Sequence, residues 1–485
     1  MIDKNELPPG WTLATFEDLL DYIQPTEYIV ESTEYNDNYK TPVLTAGKSF
    51  IKGYTNETKG IFNELPVIIF DDFTTATQFV NFPFKVKSSA MKILKPTCDL
   101  VNIKLAFYFM QTVHLKSETH KRYWISEYSK LPFPLPPHNE QKRIYDKIEE
   151  HFIILDKGIE SLRTAQQQLK VYRQAVLKWA FEGKLSEDWR KKQKQLMNSA
   201  QLLKIIQAEK KKIASESGKN IKSLRPITDI ERATLPQLPK EWSWEKLGNH
   251  AFVTKLAGFE FTKYVKYKSK GDVPVIRAQN VSRYSFIPRN FLYVDKEVMK
   301  KLPRSRVYGG EILMVFVGAG LGNVGIVPIN QEYFLGPNVA KIALEKQFNT
   351  KFILHFLTSQ LGFANVTGMT KATAQGSISM ANIREVSVPL ISIEEQNYIV
   401  NEIESRLSVC DNIEEAIENS LLQAEALRLS IIKKGFDGKL VKQNPREESA
   451  EILLAKIRAE IKKNIPDKPK KEIKVKKIKK KKELA

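Results

Sequence analysis

One segment of the chain has the spacing of a cofactor loop: Gly320-Leu-Gly322-Asn-Val-Gly325 fits GxGxxG, the turn that seats a pyrophosphate at a helix start. The segment runs on as Gly-Ile-Val-Pro into another strand, so a tight hairpin is expected instead. Asp71-Asp72 has the charge for a metal site but no Glu-x-Lys at nuclease spacing, and a solvated turn is expected there. No Asn-Pro-Pro-Tyr or Asp-Pro-Pro-Tyr of an amino-methyltransferase and no GxxxxGK[ST] loop occurs. Two cysteines, Cys98 and Cys410, and six histidines build neither a disulfide framework nor a CxxC zinc module. No catalytic residue, metal ligand or resident cofactor is therefore expected.

What remains are planar and cationic side chains on turn-rich segments. Lys48, Ser49, Lys52, Tyr54 and Asn56 surround two glycines; Arg277, Gln279, Asn280, Arg283 and Tyr284 form a second group; Lys371, Thr373, Gln375 and Ser377 form a third. Arg, Gln and Asn make bidentate hydrogen bonds to guanine and adenine edges in a DNA groove, while cations meet phosphates. The composition agrees with a polyanionic partner: 76 Lys and Arg against 56 Asp and Glu give a formal charge of +20. That charge is uneven, at −2 over residues 1–130, +10 over 238–388 and +9 over the Lys-rich 462–485. No apolar run approaches the ~18 residues that span a bilayer, and MIDKNELPPG lacks a basic-then-apolar signal, so a cytoplasmic chain without a membrane partner is expected.

The elements that must hold these groups repeat. Leu7-Pro8-x-x-Trp11 returns as Leu238-Pro239-x-x-Trp242, displaced by 231. Residues 134–185 align without a gap on 389–440, displaced by 255, with 16 identities in 52 positions. These include Glu140/Glu395, Gln141/Gln396, Asp156/Asp411, Arg173/Arg428 and the closing Phe-x-Gly-Lys-Leu. The material between the motifs shows no evident similarity and differs in length by 24. Its short β-rich runs between turn signals predict strand-dominated domains, each passing into a helix at 101–116 or 350–361.

Inside the shared segments Ile148, Leu155, Leu162, Leu169 and Val176 recur every seven residues, matched by Ile403, Cys410, Ile417, Ala424 and Ile431. That spacing predicts two helices of about 65 Å packed through a coiled-coil seam, with Cys410 a core thiol. Gln166, Arg173, Glu414 and Arg428 fall on seam positions, where polar groups either fix register or mark a seam opened to solvent.

In this order the motifs resemble the specificity subunits of type I restriction-modification systems. The resemblance rests on the Leu-Pro-x-x-Trp openings, the Pro-Leu-Pro-Pro-x-x-Glu-Gln and Pro-Leu-Ile-Ser-Ile-Glu-Glu-Gln starts of the shared segments, the Phe-x-Gly-Lys-Leu exits, and Ser449-Ala-Glu-Ile-Leu-Leu-Ala-Lys-Ile-Arg458. It implies an α+β, pseudo-twofold chain: a first target-recognition domain (1–134), first spacer helix (135–185), linker with a charged helical segment (186–237), second recognition domain (238–388), second spacer helix (389–440), C-terminal helical segment (441–461) and Lys-rich disordered tail (462–485). Each domain would read half of an asymmetric, two-part double-stranded DNA site. The helices, as an antiparallel pair, would set the gap and dock two methyltransferase subunits that use S-adenosylmethionine; restriction subunits using ATP and Mg would join them. A self-contained methyltransferase or nuclease with an unrecognised site, and a coiled-coil protein binding DNA without sequence preference, stay open as alternatives.

Overall fold

The computed structural model describes residues 6–45, 49–113, 115, 122–217, 223–368 and 376–464. It divides into one unit of Met1–Leu162 with Asn419–Ala485 and another of Arg163–Glu418. Each unit holds one strand-rich domain and one end of each long helix, His138–Phe181 and Ile393–Phe436.

In the first unit β1 (Thr12–Thr15) pairs antiparallel with β9 (Pro132–Leu135), the last strand before the helix. Between them lie β2 (Leu20–Ile23), β3 (Thr41–Leu44), β4 (Ile51–Thr55), β5 (Val67–Asp71), β6 (Thr77–Val80), β7 (Lys85–Val86) and β8 (Met91–Pro96). They form a sheet of order β2-β8-β5-β6 and a smaller one of order β4-β3-β7, in which β3 and β7 run parallel. The apolar run of β5 has a simple cause. Ile68 and Phe70 face one core, with Leu94 and the helix Ile103–Met110, while Val67 and Ile69 face another, with Leu44 and Val86. A strand buried on both faces loses the usual apolar/polar alternation.

The second unit repeats this plan. Here β10 (Ser243–Lys246) pairs with β21 (Ser387–Leu390). Between them run β11 (Ala251–Lys255), β12 (Val273–Ile276), β13 (Val281–Ser282), β14 (Ser285–Phe286), β15 (Leu292–Val294), β16 (Arg306–Val307), β17 (Ile312–Val315), β18 (Val324–Ile326), β19 (Tyr333–Leu335) and β20 (Val339–Leu344). The sheets are β11-β20-β17-β18 and β15-β12-β19-β16, with β12 and β19 parallel. Strand for strand this is the first domain, with β17 in the place of β5 and likewise feeding two cores through Ile312/Met314 and Leu313/Val315. The hairpin β13–β14, the helix Lys296–Lys301 and β16 are additions. The variable segments, dissimilar in sequence, thus share one topology. GxGxxG is the β17–β18 connection, as its sequence context predicts.

Two expectations are corrected. Asp71-Asp72 is not a solvated pair. Asp71 accepts the amides of Phe73 and Thr74, but Asp72 is 3% exposed, accepts the Trp124 amide at 2.9 Å and lies 3.8 Å from the buried Lys92 ammonium. The post-sheet helices are also shorter, Ile103–Met110 and Thr350–Thr358; the second stops at Ser359, which caps a new helix, Gln360–Thr367.

The residues repeated in sequence converge on the joint between domain and helix. Trp11 Nε1 donates to Glu140 at 3.1 Å, and Trp242 Nε1 to Glu395 at 3.0 Å. One residue on, Gln141 and Gln396 donate to the carbonyls of Pro136 and Ile391, both at 3.0 Å, tying the helix start to the strand end. Gly183 and Gly438 take left-handed φ of 72° and 69° at the helix exits, and a Cβ there would stand 2.4 Å from Pro239 and Pro8 respectively, the prolines of the repeated opening. Past each exit, an extra helix closes the nearby core. Ser199–Ser217 adds Leu202 and Ile206 in the second unit; Ala450–Asn464 adds Leu453, Leu454 and Ile457 in the first.

Within each unit the long-helix segments run antiparallel, held by an ion pair of repeat-equivalent residues: Arg173 with Asp411 at 2.6 Å and Glu414 at 2.9 Å, and Arg428 with Asp156. Arg428 also lies 4.3 Å from the centroid of the Phe152 ring. Ile148, Ile403, Cys410 and Ile417 are buried, while Leu155, Leu162 and Leu169 are half-buried.

The two anchoring carboxylates differ in charge balance. Glu395 meets the Arg190 guanidinium at 2.6 Å and the Ser186 hydroxyl, whereas burial holds the Glu140 carboxyl above its usual range despite the Trp11 hydrogen bond and the Arg143 charge. A folded-state pKa above the unfolded one means that ionised Glu140 opposes folding, increasingly as pH rises past the ordinary carboxylate value. Glu395→Gln should therefore cost about 2 kcal/mol. Glu140→Gln should be neutral or stabilising at pH 7, with its gain fading below about pH 4. Thermal unfolding of the two variants across pH checks this; equal losses at pH 7 would contradict it.

Candidate nucleic-acid interface

The described residues of the first candidate group lie on and around edge strand β4 of the first domain, and the second group lies on the connection that leads to its counterpart β15 in the second domain. In the first domain, β3 leads to the edge strand β4. Ser49 is exposed before it, Lys52 and Tyr54 lie on it, exposed and half-buried, and exposed Asn56 follows. Lys52 makes no ion pair with a described residue, and Lys48 lies outside the described residues. A Cβ on Gly53 would stand 2.5 Å from Tyr35, so the glycine lets this edge close onto the preceding loop. The Asn36 amide bonds the Tyr54 carbonyl there, at 3.1 Å.

In the second domain β12 takes the place of β3 and β15 that of β4. The segment between them carries Arg277, Gln279, Asn280 and Arg283. Arg277 and Gln279 both donate to the Asn290 carbonyl, at 2.9 and 3.1 Å, which fixes one side of each group and leaves Gln279 exposed. Asn280 differs from its neighbours. It is fully buried, accepts the Arg277 amide at 3.0 Å, and donates to the carbonyls of Ile287 and Arg289 at 3.0 and 2.9 Å. With its amide spent on backbone, Asn280 braces the loop that presents the others. Arg283 is exposed at the tip of the β13–β14 hairpin.

Of the third group, Lys371, Thr373 and Gln375 lie outside the described residues. Half-buried Ser377 bridges to Val317 at the start of the β17–β18 loop, and the Asn323 side chain at the loop's end donates to the Val281 carbonyl at 3.4 Å. The loop thus stands between Ser377 and the hairpin that carries Arg283. Among the described residues no group of His, Cys, Asp and Glu is placed to hold a metal, and no helix is long and apolar enough to cross a membrane.

The class defined by these features is a duplicated α+β chain: two domains of one topology, each anchored to antiparallel helices and each presenting different polar groups in the stretch that follows β3 or β12. The family model for the type I restriction modification DNA specificity domain matches residues 8–169 and 239–423. The chain belongs to that family. It is 42% identical over 188 residues to the type I restriction enzyme EcoR124I/EcoR124II specificity subunit of Escherichia coli, covering 36% of this chain and 45% of that one. It is 28% identical over 336 residues to the EcoBI specificity subunit of the same organism, covering 67% and 64%. Less than two thirds of either relative's length is thus matched. A chain from a solved structure concerned with complex assembly and conformational transition of the type I R-M system superposes with a TM-score of 0.59 at 14% identity, covering 89% of this chain and 99% of that one. That likeness is one of fold.

The bracing role of Asn280 separates it from Gln279 experimentally. Asn280→Ala removes the side-chain donor to the Ile287 and Arg289 carbonyls and the acceptor of the Arg277 amide, and should cost about 2 kcal/mol in thermal unfolding. Gln279→Ala should stay within about 0.5 kcal/mol of the parent. Equal stabilities would contradict this division.

Proposed function

We propose that the chain is the DNA sequence-recognition subunit of a type I restriction-modification complex. Each domain reads one half of an asymmetric, two-part duplex site, and the chain itself makes and breaks no covalent bond. The observation that carries this is the pairing of one topology with two different sets of planar and cationic groups in the stretches of chain that follow the corresponding strands β3 and β12. A shared scaffold with unlike reading surfaces suits a target whose halves differ.

The division of labour rests on the chemistry present on the chain. Adenine methylation requires S-adenosylmethionine and belongs to two methyltransferase subunits docked along the long helices; ATP- and Mg-dependent translocation and cleavage belong to restriction subunits. The joint residues serve this reading by fixing each domain on its helix, so that docked methyltransferases meet the DNA at a set distance from the bases read. Charge supports an unequal partition of affinity, with residues 238–388 at +10 and 1–130 at −2. The second domain supplies most of the phosphate attraction, and the first depends on locally placed cations such as Lys52.

Genome-wide mapping of methylated adenine in a host carrying the intact operon tests the reading. One split motif that disappears when this gene is deleted is the expected result. Absence of such a motif, or its persistence after deletion, would overturn it.

A further inference from the structure

Each glycine of the GxGxxG segment has a local reason that is not a cofactor. Gly320 takes a φ of 89° within the β17–β18 turn. A Cβ on Gly322, at φ 81°, would stand 2.9 Å from the Phe363 ring; one on Gly325 would stand 2.8 Å from the Ser285 carbonyl oxygen. Gly322 thus admits an aromatic ring against the loop, and Gly325 lets the β13–β14 hairpin lie on β18. The motif seats a hairpin and a ring.

That ring holds a cation. The Arg283 guanidinium carbon lies 5.6 Å from the centroid of Phe363 and 5.4 Å from that of Tyr284, its neighbour at the hairpin tip. At the other end of the loop, Phe316 has the Lys255 ammonium 4.9 Å from its centroid. Both cations are exposed, and neither has a hydrogen bond or ion pair with a described residue. Tyr284 sits at φ 77°, a conformation natural to glycine and costly for a bulky side chain. The residue is 40% exposed, and its hydroxyl donates to the Thr358 carbonyl at 3.5 Å. Glycine would relieve the strain; tyrosine supplies in return the ring under Arg283 and the hydroxyl that reaches the Thr358 carbonyl. Strain retained at an exposed tip points to function.

We propose that this box of rings around the glycine loop is a reading centre of the second domain, with Arg283 reading a base edge, Lys255 holding a backbone phosphate and Tyr284 positioning Arg283. The inference rests on the DNA-recognition reading above and deepens it. A guanidinium is planar and carries a rigid fork of donors; stacking fixes its plane while leaving those donors to a base. The ammonium is a point charge with no such geometry, which suits a phosphate.

The test is selection of the full-length chain on randomised duplex DNA, with affinities measured on the enriched sequence over a range of salt. The wild type should enrich a two-part motif. Arg283→Lys keeps the charge and the salt slope, but should lose preference at one base of one half and bind the parent site about tenfold more weakly. Lys255→Ala should keep the motif and lower the salt slope by about 0.9. Tyr284→Gly should unfold no earlier than the parent and yet weaken the same base preference as Arg283→Lys. If Arg283→Lys keeps the wild-type motif and affinity, or Lys255→Ala changes the motif, this inference falls while recognition stands. If the wild type enriches no motif, both fall.

Discussion

The fold depends on a side-chain oxygen buried in the first turn of each long helix, where it accepts an indole N–H. Glu140 and Glu395 are each 1% exposed, and each receives the indole N–H of the tryptophan that opens a globular domain. A buried carboxylate that lost its donors would carry an uncompensated desolvation cost, so the arrangement permits one placement of strand against helix and penalises others. The adjacent glutamine fixes the same joint through the backbone, and the glycine at the helix exit packs on the proline three residues before the tryptophan. The Trp, Glu, Gln, Gly and Pro of the repeat motifs are thereby used at one place.

This concentration explains the pattern of similarity along the chain. The joint needs particular atoms, Trp N–H, a buried acceptor oxygen, Gln amide and a left-handed glycine, so its residues recur and were legible from sequence. The same holds for Asp156, Arg173, Asp411 and Arg428, which form matching ion pairs between the helix segments of each unit. The domains need only apolar volume at strand positions. Val67 to Phe70 and Ile312 to Val315 do the same work with different side chains. Their common topology rests on long-range pairings, including the parallel β3–β7 and β12–β19 contacts, which leave no local signature in sequence.

The candidate interface was legible in part. Residue types and turn chemistry singled out Arg277, Gln279, Asn280 and Arg283 alike, and could not tell that Asn280 is spent on the backbone of its own loop. Asp72 was misread for a related reason. A carboxylate after a strand resembles a turn residue until Trp124 and Lys92, distant in sequence, are brought to it. Phe316, Phe363 and Lys255 carry no sequence signal, because each is an ordinary loop, helix or strand residue until the glycine loop gathers them. The glycine spacing answers to the close approach of a ring and of backbone.

The central claim is that joint and helices form a common frame and that the half-site read belongs to the domain inserted between β1 and β9 or between β10 and β21. The equivalent registers, with Thr12 opposite Leu135 and Ser243 opposite Leu390, permit a direct exchange. In a chain whose residues 243–390 are replaced by a second copy of 12–135, the methylated motif in cells carrying the partner subunits should consist of the first half-site twice. A folded chimera that still directs the original two-part motif would contradict the account.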